Sequence, residues 1–164
     1  MATINVRLRL TDAARRDIER LDTLAQRDPS GQQRELLESV VLMLHGLAKT
    51  RHPTKFLEYD SRFGDLSDCE TTYVGADPNE KPPIRIVTRD MPAAHPGGPA
   101  LREVIAIGPR QDSVVYHAAA GRLGRHPGVT LDELNAANPQ PTAKRKPVFD
   151  FDDVPQPGED TFQR

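Results

Sequence analysis

Residues 84–89 read Ile84-Arg85-Ile86-Val87-Thr88-Arg89, a run rich in β-branched side chains. Such residues fit a pleated, packed surface, so the segment reads as a central strand. Glu103-Val104-Ile105-Ala106-Ile107 reads the same way. Residues 91–100 between them hold three prolines and two glycines and must be a loop. Working upstream, 71–74 is a further strand and 55–59 a weaker one. At the start of the chain Ile4, Val6, Leu8 and Leu10 alternate with Asn5, Arg7 and Arg9, the period of a half-buried strand.

Between that first strand and His52-Pro53 the period changes to helical. Thr11 has the chemistry of an N-cap, with Asp12 in the first turn and Ala14, Ile18, Leu21 and Leu24 at helical spacing. Asp28-Pro29-Ser30-Gly31 is a turn, and Ser30 with Gln33 makes a capping-box pattern for a second helix carrying a broad apolar stripe. The two form a helical hairpin. Downstream, Gly108-Pro109 ends the last strand. Asp112 or Ser113 caps a final helix to about Gly124, with Val115, Ala118, Ala119 and Leu123 on one side. The order is strand, two helices, three or four strands, helix. Runs of strands with helices segregated to one side define an α+β fold, not a doubly wound sheet. The expected architecture is an N-terminal strand and helical hairpin packed on a small, mainly antiparallel sheet, with a C-terminal helix.

The domain is expected to span residues 1–124. Residues 125–164 read as a polar, proline-rich acidic tail, with a short helix at 131–138 opened by the capping box Thr130-Leu131-Asp132-Glu133. From Arg125 on there are five Lys/Arg and seven Asp/Glu; 22 less five and 24 less seven leave 17 of each sign in residues 1–124. That balance does not announce a nucleic-acid binder, although binding responds to the local field and not to the total. No run of 18 apolar residues exists, so no membrane partner is expected. The charged, alternating start lacks the apolar stretch of an export signal, and Cys69 is the single cysteine. Both point to a cytoplasmic setting.

The usual catalytic signatures are absent. Gly121, Gly124 and Gly128 do not follow a strand, so no phosphate-binding loop is present. The five histidines and Cys69 show no metal-ligand spacing, and no cofactor is expected. Attention falls on Arg85 in the central strand, Arg110 after the next strand, and Tyr116 in the first turns of the last helix. Two guanidinium groups and a phenol meeting near one strand end would clamp a phosphodiester, because the planar guanidinium fork binds phosphate oxygens bidentately. Taken alone, such residues are more often solvated arginines and a packed tyrosine, and the spacing does not settle between the two.

Several segments together resemble the RelE/ParE toxin superfamily of bacterial type II toxin–antitoxin pairs. They are Leu66-Ser67-Asp68-Cys69, the 84–89 strand, Val104-Ile105-Ala106-Ile107-Gly108-Pro109-Arg110, Val115-Tyr116 and Ala118-Ala119-Ala120-Gly121-Arg122-Leu123. The likeness covers roughly residues 3–124 in element order, with its motifs in 66–123. It implies a toxin held inactive by an antitoxin protein. In the RelE-like branch it implies a ribosome-dependent endoribonuclease on mRNA, in which the ribose 2′-hydroxyl attacks the adjacent phosphorus and expels the 5′-oxygen. Arg85, Arg110 and Tyr116 would then take the catalytic positions. The family's two strand lysines are replaced by Thr71 and Tyr73, which leaves Glu70 and His117 as auxiliary candidates. The alternative is a non-enzymatic member of the same fold, a ParE-like inhibitor of DNA gyrase or a regulatory or structural binding protein. The acidic, aromatic residues 148–162 are expected either to fold back on the basic site or dock on a partner, or to remain a solvated tail.

Overall fold

The computed structural model of the chain describes residues 6–49 and 51–137. In chain order these form β1 (Val6–Leu10), α1 (Asp12–Gln26), α2 (Gln32–Leu47), β2 (Lys55–Phe56), β3 (Tyr59–Asp60), β4 (Gly64–Asp65), β5 (Glu70–Val74), β6 (Ile84–Met91), β7 (Ala100–Pro109), α3 (Val114–Arg122) and α4 (Leu131–Ala137). Five strands make one sheet in the order β1-β7-β6-β5-β2, with β6 in the centre as its composition predicts. β1 runs parallel to β7, and the other pairings are antiparallel. β3 and β4 form a separate small hairpin. This is the expected α+β class.

The helices do not lie on one side. Ile84 and Ile86 of β6 join α1 and α2 in an aliphatic core with Val40, Leu44 and Leu47. Val87 points the other way, into a second core with Val115, Ala119 and Ala120 of α3 and with Phe63 and Leu66. The sheet is thus sandwiched, because both faces of its central strands are apolar and each requires cover. The β6–β7 register slips after Val87: Val87 faces Ala106, but Thr88 faces Val104. Ile105 is therefore an extra, bulged residue. The bulge turns Ile105 and Ala106 toward α3 while Val104 and Ile107 both meet the helical hairpin.

β1 covers β7 only as far as Val104, where Thr11 closes the pairing through its N–H and hydroxyl. Beyond it, side chains complete the edge. The buried Asp17 carboxylate of α1 accepts from the Ile107 N–H at 2.9 Å, and Arg122 of α3 donates to the Ile105 carbonyl at 3.0 Å. Asp17 and Arg122 also bond each other through two nitrogens, at 2.6 and 2.9 Å. Unpaired backbone groups at a buried edge are costly, and this pair satisfies them. Arg102 does similar work across the sheet, gripping Asp90 with two nitrogens and donating to the Leu47 and Arg51 carbonyls at the end of α2.

Caps follow the sequence at some helices only. Thr11 accepts from the Ala14 N–H, and Thr130 with Glu133 forms the reciprocal box at the start of α4. The Ser30–Gln33 box does not form. Asp28 bonds the Gln33 N–H instead, while Gly31, at φ 83°, occupies the N-cap. Asp112 and Ser113 both have φ 55° and provide no side-chain cap for α3. Packing runs on past residue 124. Arg125 is buried, the Gly128 N–H donates to the Tyr59 hydroxyl, and the Leu131 N–H donates to Asp65. Gly64, at φ 121°, lies against His126, where a Cβ would come within 2.9 Å of backbone. Residues 138–164, and with them the expectation for 148–162, lie outside the described residues. Among those described, no helix is long and apolar enough to cross a membrane.

Candidate functional site

Arg85 stands opposite Tyr73 in the β5–β6 pairing, and Val87 stands opposite Thr71. Both pairs face α3. Tyr116 projects from α3 to the same surface, where its hydroxyl lies 3.2 Å from that of Thr71. Arg85 and Tyr116 therefore share one face, separated by two residues along β5, about 6.7 Å. They do not touch. Arg85 is buried, its guanidinium stacks 3.8 Å from the centre of the Tyr73 ring, and Nη1 donates to the Pro82 and Ile84 carbonyls. Arg110 follows β7 at the same end of the sheet, its N–H bonded to the Pro83 carbonyl. Its guanidinium makes no hydrogen bond or ion pair with another described residue.

What gathers around Tyr116 is a cleft of about 190 Å³ against the β2–β4 segment. Lys55 enters it because its strand partner is Thr71, which turns both side chains toward α3. Arg62 enters from the β3–β4 turn, donating to both Asp60 oxygens and to the Ser113 hydroxyl. Its hydrogen bonds to Asp60 hold that carboxyl down to about 2. Phe63 forms the floor, stacked on Tyr116 at 5.8 Å and edge-on to His117 at 5.3 Å. His117 thus borders the site through Phe63, on the exposed side of α3.

Glu70 is not part of this group. It shares parity with Thr72 and Val74, so it faces the α2 side, in a cleft of about 410 Å³ with His52, Asp90 and Arg102. Burial and the neighbouring Asp90 carboxylate raise its carboxyl above the ordinary value.

The turn leading into β5 is fixed by charge. Arg125 donates to both Asp68 oxygens, at 2.8 and 2.9 Å, and to the Asp65 carbonyl. Burial pushes the Asp68 carboxyl up, but Arg125, with Arg89 behind it, outweighs burial and leaves it below the ordinary range. Cys69 next to it is fully buried, and burial together with Asp68 drives its thiol far above the ordinary value. A buried thiol of that kind is inert. Among the described residues, no group of three or more His, Cys, Asp or Glu stands where it could hold a metal ion.

Lys55, Arg62 and Phe63 escaped sequence reasoning. A Lys one residue before an exposed Phe in a two-residue strand has no periodic signature, and Arg62 sits in a turn. Strand parity was the usable signal for Lys55, once Thr71 was paired with it.

No protein-family model matches the chain, and no curated protein matches it. Among solved structures the chain is similar to a mutant of the E. coli toxin RelE in the free state, at 17% identity. That match covers 73% of this chain and 99% of the other, with a TM-score of 0.39.

Proposed function

We propose that this chain is the toxin of a type II toxin–antitoxin pair and acts as a ribosome-dependent endoribonuclease on mRNA. One observation carries the reading: Arg85 and Tyr116, from separate segments, face the same surface of the sheet, with Arg110 closing the neighbouring strand. The reaction breaks the phosphorus–5′-oxygen bond as the 2′-oxygen bonds to phosphorus, leaving a 2′,3′-cyclic phosphate. The 2′-hydroxyl loses a proton and the departing 5′-oxygen gains one. The Tyr116 hydroxyl, in a cleft also lined by Glu58, exchanges a proton, and Lys55 and Arg62 there, with Arg110 at the end of the next strand, offset the charge that grows on the phosphoryl oxygens. Arg85 acts from beneath Tyr73, reaching phosphate directly once that ring swings aside. An antitoxin protein that covers the cleft keeps the chain inactive.

Translating a reporter mRNA in the presence of the protein tests the reading. Cleavage is expected only in translated transcripts, and Tyr116→Phe lowers its rate by about 100-fold or more. The same variant loses only about 1 kcal/mol of stability, the hydrogen bond to Thr71. An unchanged rate sinks the assignment. A second reading, a non-enzymatic binder such as an inhibitor of DNA gyrase, is favoured by the burial of Arg85 under Tyr73. Intact transcripts with accumulating DNA breaks would establish it.

A further inference from the structure

At the edge of the sheet farthest from β2, β1 presents its polar side to solvent. Arg7 and Arg9 are exposed there, while Leu8 and Leu10 pack inward against the helical hairpin. A groove of about 420 Å³ runs between this strand, the start of α1 and the loop before β7. Arg7 and Arg9 line it from the strand, Arg15 from the first turns of α1, and His95, Pro99 and Leu101 from the far side. Among the described residues, none that lines it is acidic. The nearest strand carboxylate, Glu103, is buried and shared between Arg9 and Arg89. Arg7 and Arg15 are exposed and form no ion pair with another described residue. The start of α1 adds the positive end of a helix dipole to the same place.

We propose that this groove binds the sugar–phosphate backbone of an RNA strand, docking the RNA on which the Tyr116 cleft acts. The choice of RNA rests on the endoribonuclease reading; the choice of a polyanion rests on the groove. Its cations, Arg7 and Arg9 from a strand and Arg15 from a helix, suit a chain of repeated charges better than a single carboxylate. Among the described residues no Phe, Tyr or Trp lines it, whereas protein-docking surfaces draw their affinity from buried aromatic anchors. β1 lies three strand spacings from β5, about 14 Å, so the groove holds a part of the RNA away from the reacting linkage. Balanced net charge is no obstacle, because the cations are concentrated on one edge.

The test is an anisotropy titration of a short, labelled single-stranded RNA of mixed sequence with the full chain carrying Tyr116→Phe, between about 50 and 200 mM salt. Adding Arg7→Gln and Arg15→Gln is expected to flatten the plot of log affinity against log salt by about 1.4, or about 0.7 per phosphate contact removed. A matched pair away from the groove, Arg27→Gln with Arg34→Gln, leaves that slope unchanged. Equal slopes for the groove variant and its parent, or an equal fall in the control pair, overturn the proposal. So does tight binding of a synthetic peptide of residues 148–162 that Arg7→Gln with Arg15→Gln abolishes while the RNA slope stays the same, which would make the groove a protein site. Catalysis is read separately, in the chain that retains Tyr116. Cleavage whose KM ignores Arg7 and Arg15 defeats the groove and leaves the enzyme reading standing. RNA binding with the predicted slope but no cleavage does the reverse.

Discussion

The two faces of the sheet are closed by different means. Against the face carrying Ile84 and Ile86, two helices of 15 and 16 residues lay down an aliphatic layer. Against the other lie one nine-residue helix and the turn-rich 57–66 segment, which are too small to close it by apolar contact alone. That side is held by charged clasps: Arg125 on Asp68, Arg62 on Asp60, and the Leu131 N–H on Asp65. Apolar layers are tolerant and featureless, whereas clasps fix particular side chains in particular places. The candidate site sits on the clasped face, where Arg62 is held by Asp60 and Ser113, Lys55 by strand pairing, and Phe63 by stacking on Tyr116.

The contrast is open to attack. Arg125→Ala removes the guanidinium that serves both Asp68 and the Asp65 carbonyl, and a broken buried pair costs about 3–5 kcal/mol. Urea unfolding should show a loss in that range; a loss below about 1 kcal/mol would mean that apolar packing alone holds this face. A smaller effect is expected with pH. The folded Asp68 carboxyl is held below its ordinary 3.8, so its contribution is complete above that value and disappears as pH falls through the lower, folded value. Asp68→Asn should flatten the acid limb of the stability curve, in part only, because Asp65 and Glu103 are depressed as well. The smallest change belongs to the helical face. The Thr88 hydroxyl is buried there without a hydrogen-bond partner among the described residues. Thr88→Val keeps the shape, removes the unsatisfied group, and should raise stability by about 1 kcal/mol in thermal unfolding. A loss instead would mean that this layer is less uniformly apolar than described.

Much of the architecture was legible because it is periodic. The alternation at 6–10, the apolar stripes of the hairpin and the β-branched run at 84–89 each carry their own period, and each became the expected element. Features made by long-range contact were not. The Ile105 bulge follows from the pairing of β6 with β7, and nothing within 103–107 announces it. The placement of α3 on the opposite face depends on which side the hairpin takes first. At the site, Arg85 and Tyr116 lie on one face of the sheet without touching, and the sequence pattern missed the ring that covers Arg85. That cover is Tyr73, read at first only as a replacement for a lysine. Glu70 was drawn in by its closeness in sequence to Thr71, yet a single step along a strand reverses the face.

The clasp between Asp17 and Arg122 has a consequence for how the protein is made. β1 and α1 are synthesised early, but their partners in the sheet edge, β7 and Arg122, come late in the chain. A nascent chain halted before Arg122 carries an unsatisfied Asp17 and a hairpin with little sheet to rest on. Closure of the sheet therefore waits for nearly the whole domain to leave the exit tunnel, and a truncated product has no assembled cleft.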